Sequence, residues 1–524
     1  QPERAAHLRL RSVVLVDLSF SCNGNSVACS VAPDESLLNV LRERLGFVSV
    51  KDGCAPQGQC GCCTVLVDGA PRVACVTPAT RVAGRSVTTL EGFDAAPVAE
   101  SFVAAGGSQC GFCTPGIIMR FAGERVRDID RGLAAHLCRC TGWWTVRDAL
   151  AGCSAGSRSG ATERARLEGG VPQLVGAEVP LGCAPFADDT APRDALVAVP
   201  LPPGSAAEFV EAAGTRWVVG ESVLDARSRA GKVQGRRTTV PVRPPLSIDA
   251  TGDVALATSW VEPAYLEPDA SWCAPGNEPA SPLANGGAFG GKERSLAPAA
   301  ARELAERFGR VVRVLYSRED VVRLGPKRPP IAAVASARGD AVEIEGVIAR
   351  GGAPRLWPAP VAVVAEWREV DVVGPPVGAE LRAAGLAEQA MLVAGALGRN
   401  IDVLTPTGAR ASASYEDGKV HVRLAAGDPL DEVVLRSYAI GAAHMALGFV
   451  LSEGLAVDDD GNVHDLTIRS FGVLPASKTP PIDIEIVADD APPRARSTDA
   501  VFGAVAAAAW LAHGCPDSLP LLAR

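Results

Sequence analysis

Three observations together predict a multidomain α+β chain. The length of 524 residues leaves room for several cores, at about 150 residues per domain. The opening stretch sets short apolar runs around turn dipeptides beside one helical stripe, and later stretches mix strands with longer helices. Eleven of the 15 cysteines fall between positions 22 and 140, so the start carries a chemistry that the remainder lacks.

Composition narrows the functional classes. Lys plus Arg number 51 against 60 Asp plus Glu, a net charge of −9, which opposes the broad basic footprint of a nucleic-acid binder. The chain is 47% hydrophobic and 21% charged, with 54 Gly and 40 Pro scattered along it, as in ordinary globular proteins. The longest unbroken apolar run, near Ala504–Ala512, falls short of the roughly 20 residues of a spanning helix, and Gln1–Arg11 lacks the order of a secretion signal. The expectation is a cytoplasmic protein with no membrane and no nucleic-acid partner.

The first elements follow from local pattern. Val13–Phe20 reads as a strand, Asn23-Gly24-Asn25 as a turn and Cys29–Val31 as the return. Asp34 is placed to cap a helix whose Leu37, Leu38, Leu41 and Leu45 share one face up to Gly46. After a cysteine-rich loop, Thr64–Val67, Asp68-Gly69 and Arg72–Val76 form a second hairpin. Strands, one helix and a metal loop on the rim make a β-grasp ferredoxin pattern.

The cysteines form two groups of four. Cys54, Cys60, Cys63 and Cys75 are spaced C-x5-C-x2-C-x11-C, and Cys110, Cys113, Cys138 and Cys140 are spaced C-x2-C-x24-C-x-C. Four soft thiolates are the complement of a [2Fe–2S] cluster, and the first spacing is one residue longer than that of plant-type ferredoxins. Gly53, Gly58 and Gly61 allow the backbone to wrap closely and direct N–H groups at cluster sulfurs. Two zinc sites with four cysteines each are the alternative. Cys62 reads as a bystander, because its side chain diverges from that of Cys63, and the remaining single cysteines read as small buried hydrophobes.

The runs GCAPQGQCGCCTVLVDG, QCGFCTPGIIM and HLCRCTGW resemble the iron–sulfur module of the molybdenum hydroxylases, the xanthine dehydrogenase and aldehyde oxidoreductase family. The resemblance covers roughly residues 10–152. It implies a β-grasp domain over residues 1–90 holding one [2Fe–2S] cluster and a helical domain over 91–153 holding the other. It also implies that Gln109 lies at the interface with a pterin and helps relay electrons to the second cluster.

Residues 154–175 are small, polar and Gly-rich and read as a linker. From 176 to 250, short apolar runs such as Ala195–Val199 and Trp217–Val219 alternate with Pro-rich breaks, as in an α+β hammerhead-like domain. No nucleotide-binding glycine fingerprint occurs there, so no FAD is expected in this chain. Residues 251–524 then read as a shortened molybdopterin-binding-like region. Within it, NGGAFGGKE at Asn285–Glu293 resembles the family's glycine signature. That resemblance implies Gly286, Gly287, Phe289, Gly290 and Gly291 beside a molybdenum–molybdopterin and Glu293 facing substrate. A helix over Pro298–Phe308, a strand over Val311–Tyr316 and the segment Ser317–Asp320 follow. Asp428-Pro429 should start an apolar helix running to Leu451, followed by a hairpin of Leu455–Val457 and Val463–Ile468. The acidic turn between them lacks the Gly that a calcium loop needs at its sixth position.

Three positions depart from the family pattern. Val261 stands where the family has Gln, Val373–Pro376 lacks the family's Arg, and Gly503 aligns with its C-terminal catalytic Glu. Glycine cannot take the proton from a molybdenum-bound hydroxyl, which leaves Asp499, Glu293 or a partner's side chain as substitutes. The resemblance therefore implies an oxidoreductase passing electrons from a molybdenum–pterin site through two [2Fe–2S] clusters to a separate flavin subunit or external acceptor. A homo-oligomer is compatible with this, and slow turnover by the isolated chain is expected. The alternative is an iron–sulfur electron-transfer or assembly subunit whose molybdenum domain is vestigial.

Overall fold

The fold comes from a computed structural model that describes residues 15–123, 128–152, 158–171, 173–231, 240–283, 291–352, 356–378 and 383–522. The first sheet is built from β1 (Val16–Cys22), β2 (Asn25–Val31), β3 (Thr64–Val67), β4 (Ala70–Val73) and β5 (Ser86–Thr88), in the order β2-β1-β5-β3-β4. Its first hairpin pairs Cys22 with Asn25, and the connecting Asn23 and Gly24 both take positive φ (51° and 80°), the geometry that matches strand twist in a two-residue turn. The helical stripe folds as expected onto this sheet, with Leu37, Leu38 and Leu41 buried. Its cap is Ser36 and not Asp34: the Ser36 side chain accepts from Asn39 N at 3.2 Å. The helix is a single turn, α1 (Leu37–Asn39), that passes into a π turn over Val40–Arg44. Glu35 ties both ends of this segment, accepting from Asn39 Nδ2 at 2.6 Å and Arg44 Nε at 2.9 Å.

The second module consists of α2 (Ala96–Ala105), α3 (Thr114–Ala122), α4 (Ile129–Leu133) and α5 (Trp144–Ala151). Within the stretch read as a linker, residues Ala161–Gly169 form a helix, α6. Small residues there are not spacer material: Ala161 and Ala165 pack on Val434 and Tyr438. Arg164 and Glu168 are fully buried as an i,i+4 pair at 2.6 Å. After the short α7 (Ala187–Thr190) come β6 (Leu196–Pro200), β7 (Val210–Ala212), β8 (Thr215–Gly220) and α8 (Val223–Ala230).

The expected boundary at 250 runs through the middle of a sheet. The strand β9 (Val254–Thr258) belongs to a third sheet, but β10 (Ala270–Cys273), α9 (Ala297–Phe308) and β11 (Val312–Leu315) complete the second, ordered β10-β11-β6-β8-β7. The parallel pairing of β11 with β6 joins segments more than a hundred residues apart. Ser317 and Asp320 form a reciprocal capping box on α10 (Arg318–Leu324).

The third sheet adds β12 (Ile331–Arg338), β13 (Ala341–Ala349) and β14 (Ala362–Val370), with β19 (Ser518–Leu519) closing it beside β9. Three long helices, α11 (Ala384–Leu397), α12 (Glu432–Leu451) and α13 (Thr498–Ala512), form the largest core between this sheet and a fourth of β15 (Val403–Leu404), β16 (Arg410–Glu416), β17 (Lys419–Ala425) and β18 (Ile482–Ile486). Helix α12 starts three residues beyond the expected Pro429, since Leu430 takes φ +55° and Asp431 caps by accepting from Val434 N at 2.8 Å. By length and composition α12 is long and apolar enough to cross a membrane, yet 89% of its most apolar window is buried in the fold. The expected hairpin after it reduces to one bridge between Val457 and Val463. The Asp458 side chain takes the N–H groups of Asp460 and Asn462, satisfying locally the donors that a strand would pair.

Candidate iron–sulfur and pterin site

The first thiol group occupies the loop between the π turn and β3, with Cys75 returning just after β4. Cys54, Cys60, Cys63 and Cys75 are all buried. As thiols they crowd one another: hydrogen bonds from Cys60 and Cys75 hold Cys54 well below the usual thiol range, and the same contacts push Cys60 and Cys75 up. Main-chain N–H groups point at the sulfurs, from Cys60 to Cys54 Sγ at 3.3 Å and from Cys75 to Cys63 Sγ at 3.4 Å. Gly58 and Gly61 take positive φ (68° and 79°), and a Cβ on Gly61 would lie 2.4 Å from His136 Nδ1. Four converging buried thiols ringed by amide donors fit a [2Fe–2S] cluster.

The second group lies at the mouth of the helical module. Cys113 immediately precedes α3, Cys110 and Cys140 sulfurs are 3.6 Å apart, and Cys138 Sγ lies 3.0 Å from Thr141 Oγ1. A hydrogen bond from Cys113, backed by Thr141, brings Cys138 down to about 6, while Cys113 is pushed well up. This donor set fits a second cluster equally well.

The two groups adjoin. Leu137 N donates to Cys60 O at 3.0 Å, so the residue before Cys138 is bonded to a cysteine of the first group. Helix α3 rests on the first loop, where a Cβ on Gly116 would lie 2.3 Å from Gly61 O. Cys62, read as a bystander, is fully buried in this contact, and charge on Cys110 is felt at its thiol. Arg318 and Arg469 face the first group, since the field of Cys54 acts on both guanidinium groups. Spacing alone did not single out these cations, because each lies hundreds of residues away in sequence.

Long-range contacts tie the second loop to the C-terminal core. Gln109 Nε2 donates to Cys140 O at 2.8 Å and to Ser437 Oγ on α12 at 3.0 Å. Arg139, between two cysteines, holds Glu453 with Nη2–Oε2 at 2.8 Å and donates through Nε to Pro263 O at 2.8 Å. Trp143 Nε1 donates to Leu474 O at 3.1 Å, and Trp144 Nε1 to Pro480 O at 2.8 Å.

Of the expected pterin-side residues, Gly286, Gly287, Phe289 and Gly290 lie outside the described residues, whereas Gly291 is buried. Beside it, Lys292 is buried against Glu267. Ser259 Oγ, Trp260 Nε1 and Glu262 Oε2 are buried atoms without a hydrogen-bond partner, polar groups of the kind that the edge of a polar heterocycle would satisfy. Glu293 is half exposed, 3.5 Å from Arg496 Nη2, and Asp499 N donates to Arg496 O at 3.2 Å. The two carboxylate-bearing segments thus meet at the start of α13. Glu168 caps that helix by accepting from Ser497 N and Thr498 N. Gly503 lies inside α13, where a Cβ would meet Val403 at 3.0 Å and Leu386 at 3.4 Å. A side chain at 503 would point into apolar packing, so this helix does not present that position to a site.

A [2Fe–2S] binding domain profile matches residues 89–151. The xanthine dehydrogenase iron–sulfur-binding subunit of Escherichia coli O157:H7 is 36% identical over 151 residues, covering 26% of this chain and 94% of that protein. The nicotinate dehydrogenase small FeS subunit of Eubacterium barkeri is 34% identical over 146 residues, covering 26% and 92%. Aldehyde oxidoreductase of Megalodesulfovibrio gigas is 38% identical over 151 residues, 26% of this chain and 16% of that longer protein. In fold, the chain matches the structure of aldehyde oxidoreductase from Desulfovibrio gigas with a TM-score of 0.68 at 15% identity, covering 94% of this chain and 97% of that one. The iron–sulfur sequence and the fold agree: the chain is an oxidoreductase-type member of the molybdenum hydroxylase family.

Proposed function

We propose that this oxidoreductase carries electrons from a molybdenum–pterin site through two [2Fe–2S] clusters to a separate flavin subunit or external acceptor, with no FAD of its own, in the reducing cytoplasm that free thiol ligands suit. The observation that carries the reading is the pair of thiol groups in backbone contact through Leu137 and Cys60. When bound, the clusters supply one-electron transfer and the molybdenum–pterin supplies oxygen transfer to substrate. Cys54, Cys60, Cys63 and Cys75 hold the first cluster, and Cys110, Cys113, Cys138 and Cys140 the second. Gln109, bonded to Cys140 O, positions the pterin edge against the second loop, and the signature that includes Gly286, Gly287, Phe289, Gly290 and Gly291 is assigned to the pterin by its resemblance to the family. Glu293 or Asp499 takes the substrate-side proton. A separate flavin partner is supported by relatives that are themselves iron–sulfur subunits.

The test is metal content and spectroscopy of chain purified without oxygen. Four irons and four acid-labile sulfides per chain are expected, with two distinct paramagnetic signals on reduction. Cys60→Ser should remove one signal and Cys113→Ser the other. Iron for a single cluster, or zinc in its place, overturns the reading. The apolar packing of Gly503 favours a second reading, an electron-transfer subunit with a vestigial molybdenum domain, which one molybdenum per chain together with turnover would exclude.

A further inference from the structure

A cavity of about 370 Å³ lies between the first sheet's helical segment and the second sheet, and Cys75 forms part of its wall. The size falls within the range of small-molecule sites, about 300–1,000 Å³. Nine carboxylate side chains and three arginines line it. Each arginine is already neutralised: Arg42 pairs with Asp188 at 2.7 Å, Arg227 with Asp52 at 2.9 Å, and Arg313 with Glu43 at 2.8 Å. Deeper in, Asp269 meets the Tyr265 hydroxyl and Glu319 meets the Gln57 amide at 2.9 Å, both neutral donors. Glu267 Oε1 and Asp269 Oδ1 are buried without a hydrogen-bond partner, although their residues are only 7% and 2% exposed. Buried carboxylate oxygens left unpaired are costly unless something fills the need. Phe112 and Tyr316 are part of the same wall, aromatic neighbours of the kind that suit a cation with a delocalised charge.

We infer that this cavity binds a small aromatic organic cation of the N-alkylated heterocycle class, which accepts one electron from the first cluster across Cys75. The inference rests on the proposed cluster site. In the step, one electron leaves the reduced cluster, returning it to its oxidised state, and enters the ring system of the cation. No bond forms or breaks, and no proton moves. Glu35, Glu267 and Asp320 are held by Arg44, Lys292 and Arg323 outside the cavity, so Asp34, Asp269 and Glu319 are the carboxylates that select the charge, and the position of Cys75 brings the ring next to a cluster ligand.

Binding and electron transfer are tested separately on the full chain. N-methylacridinium, whose fluorescence reports binding without any redox event, should bind with 1:1 stoichiometry. Asp269→Asn should weaken it at least tenfold, and Leu224→Trp, which fills the cavity from α8, should abolish it. Reoxidation of the reduced chain by N-methylphenazinium should saturate with concentration, and the saturation should vanish in both variants, while reoxidation by ferricyanide stays unchanged. Acridinium binding that is absent, or equal in both variants and the parent chain, overturns the inference. Loss of iron in the parent chain instead overturns the cluster reading, and metal analysis distinguishes the two.

Discussion

Gly61 carries two demands at once, a positive φ of 79° and a close approach to His136. Gly61→Ala should cost about 1–3 kcal/mol in stability and lower iron retention at the first site, both measurable by denaturant melts and metal analysis. His444 is a different case. It is buried in α12, its Nε2 lies 3.0 Å from Leu474 O, and loss of hydration brings it down to about 4, with Arg139 pushing the same way. Its charged form is disfavoured in the folded chain, so between pH 6.5 and 4 the unfolded state binds more protons. Stability from this group is complete above about 6.5 and falls as pH drops toward 4. His444→Gln should flatten the urea-midpoint profile across that window, and an unchanged slope would contradict the assignment. At this scale the cysteines were legible from spacing, because four soft ligands at short intervals leave few alternatives. Arg318, Arg469 and Glu453 were not legible, because nothing local in sequence marks a charge that a distant loop will meet.

At the scale of elements, the apolar stripes located helices well, while their ends depended on competing side chains. Ser36 rather than Asp34 caps the first helix while Glu35 holds Asn39 and Arg44, and Leu430's positive φ delayed α12. The stretch after Cys153 looked like a spacer because its residues are small, yet small residues also let α6 sit close to α12. Within α12, a Cβ on Gly441 would lie 1.8 Å from Cys140 O, so the helix can touch the second cysteine loop only with glycine there. Gly441→Ala should push the two apart at about 1–3 kcal/mol, altering the spectrum of the proposed second cluster and sparing that of the proposed first. Gly503→Glu behaves differently: the carboxylate enters packing against Val403 and Leu386. Stability should fall by several kcal/mol with no gain in turnover, whereas an active, stable variant would show that α13 can present this position to substrate.

Across the whole molecule, the sequence announced an iron–sulfur front and an α+β remainder, but it did not show how tightly the two are sewn together. The sheet containing β6 and β11 crosses the expected boundary at 250. The second cysteine loop reaches the far half through Arg139 with Glu453, Trp143 with Leu474 and Trp144 with Pro480. These contacts are made by residues between and just after Cys138 and Cys140, so their geometry depends on whatever holds those thiols in place. With the proposed clusters in those thiols, iron supply is expected to govern how much protein survives, as well as how much is competent. Cells starved of iron should clear the entire polypeptide, C-terminal core included, faster than a Cys60→Ser variant grown in iron-replete medium, which keeps the second loop intact. Pulse-chase half-lives measure that order, and it makes the second loop the checkpoint at which a chain without its iron is recognised and discarded.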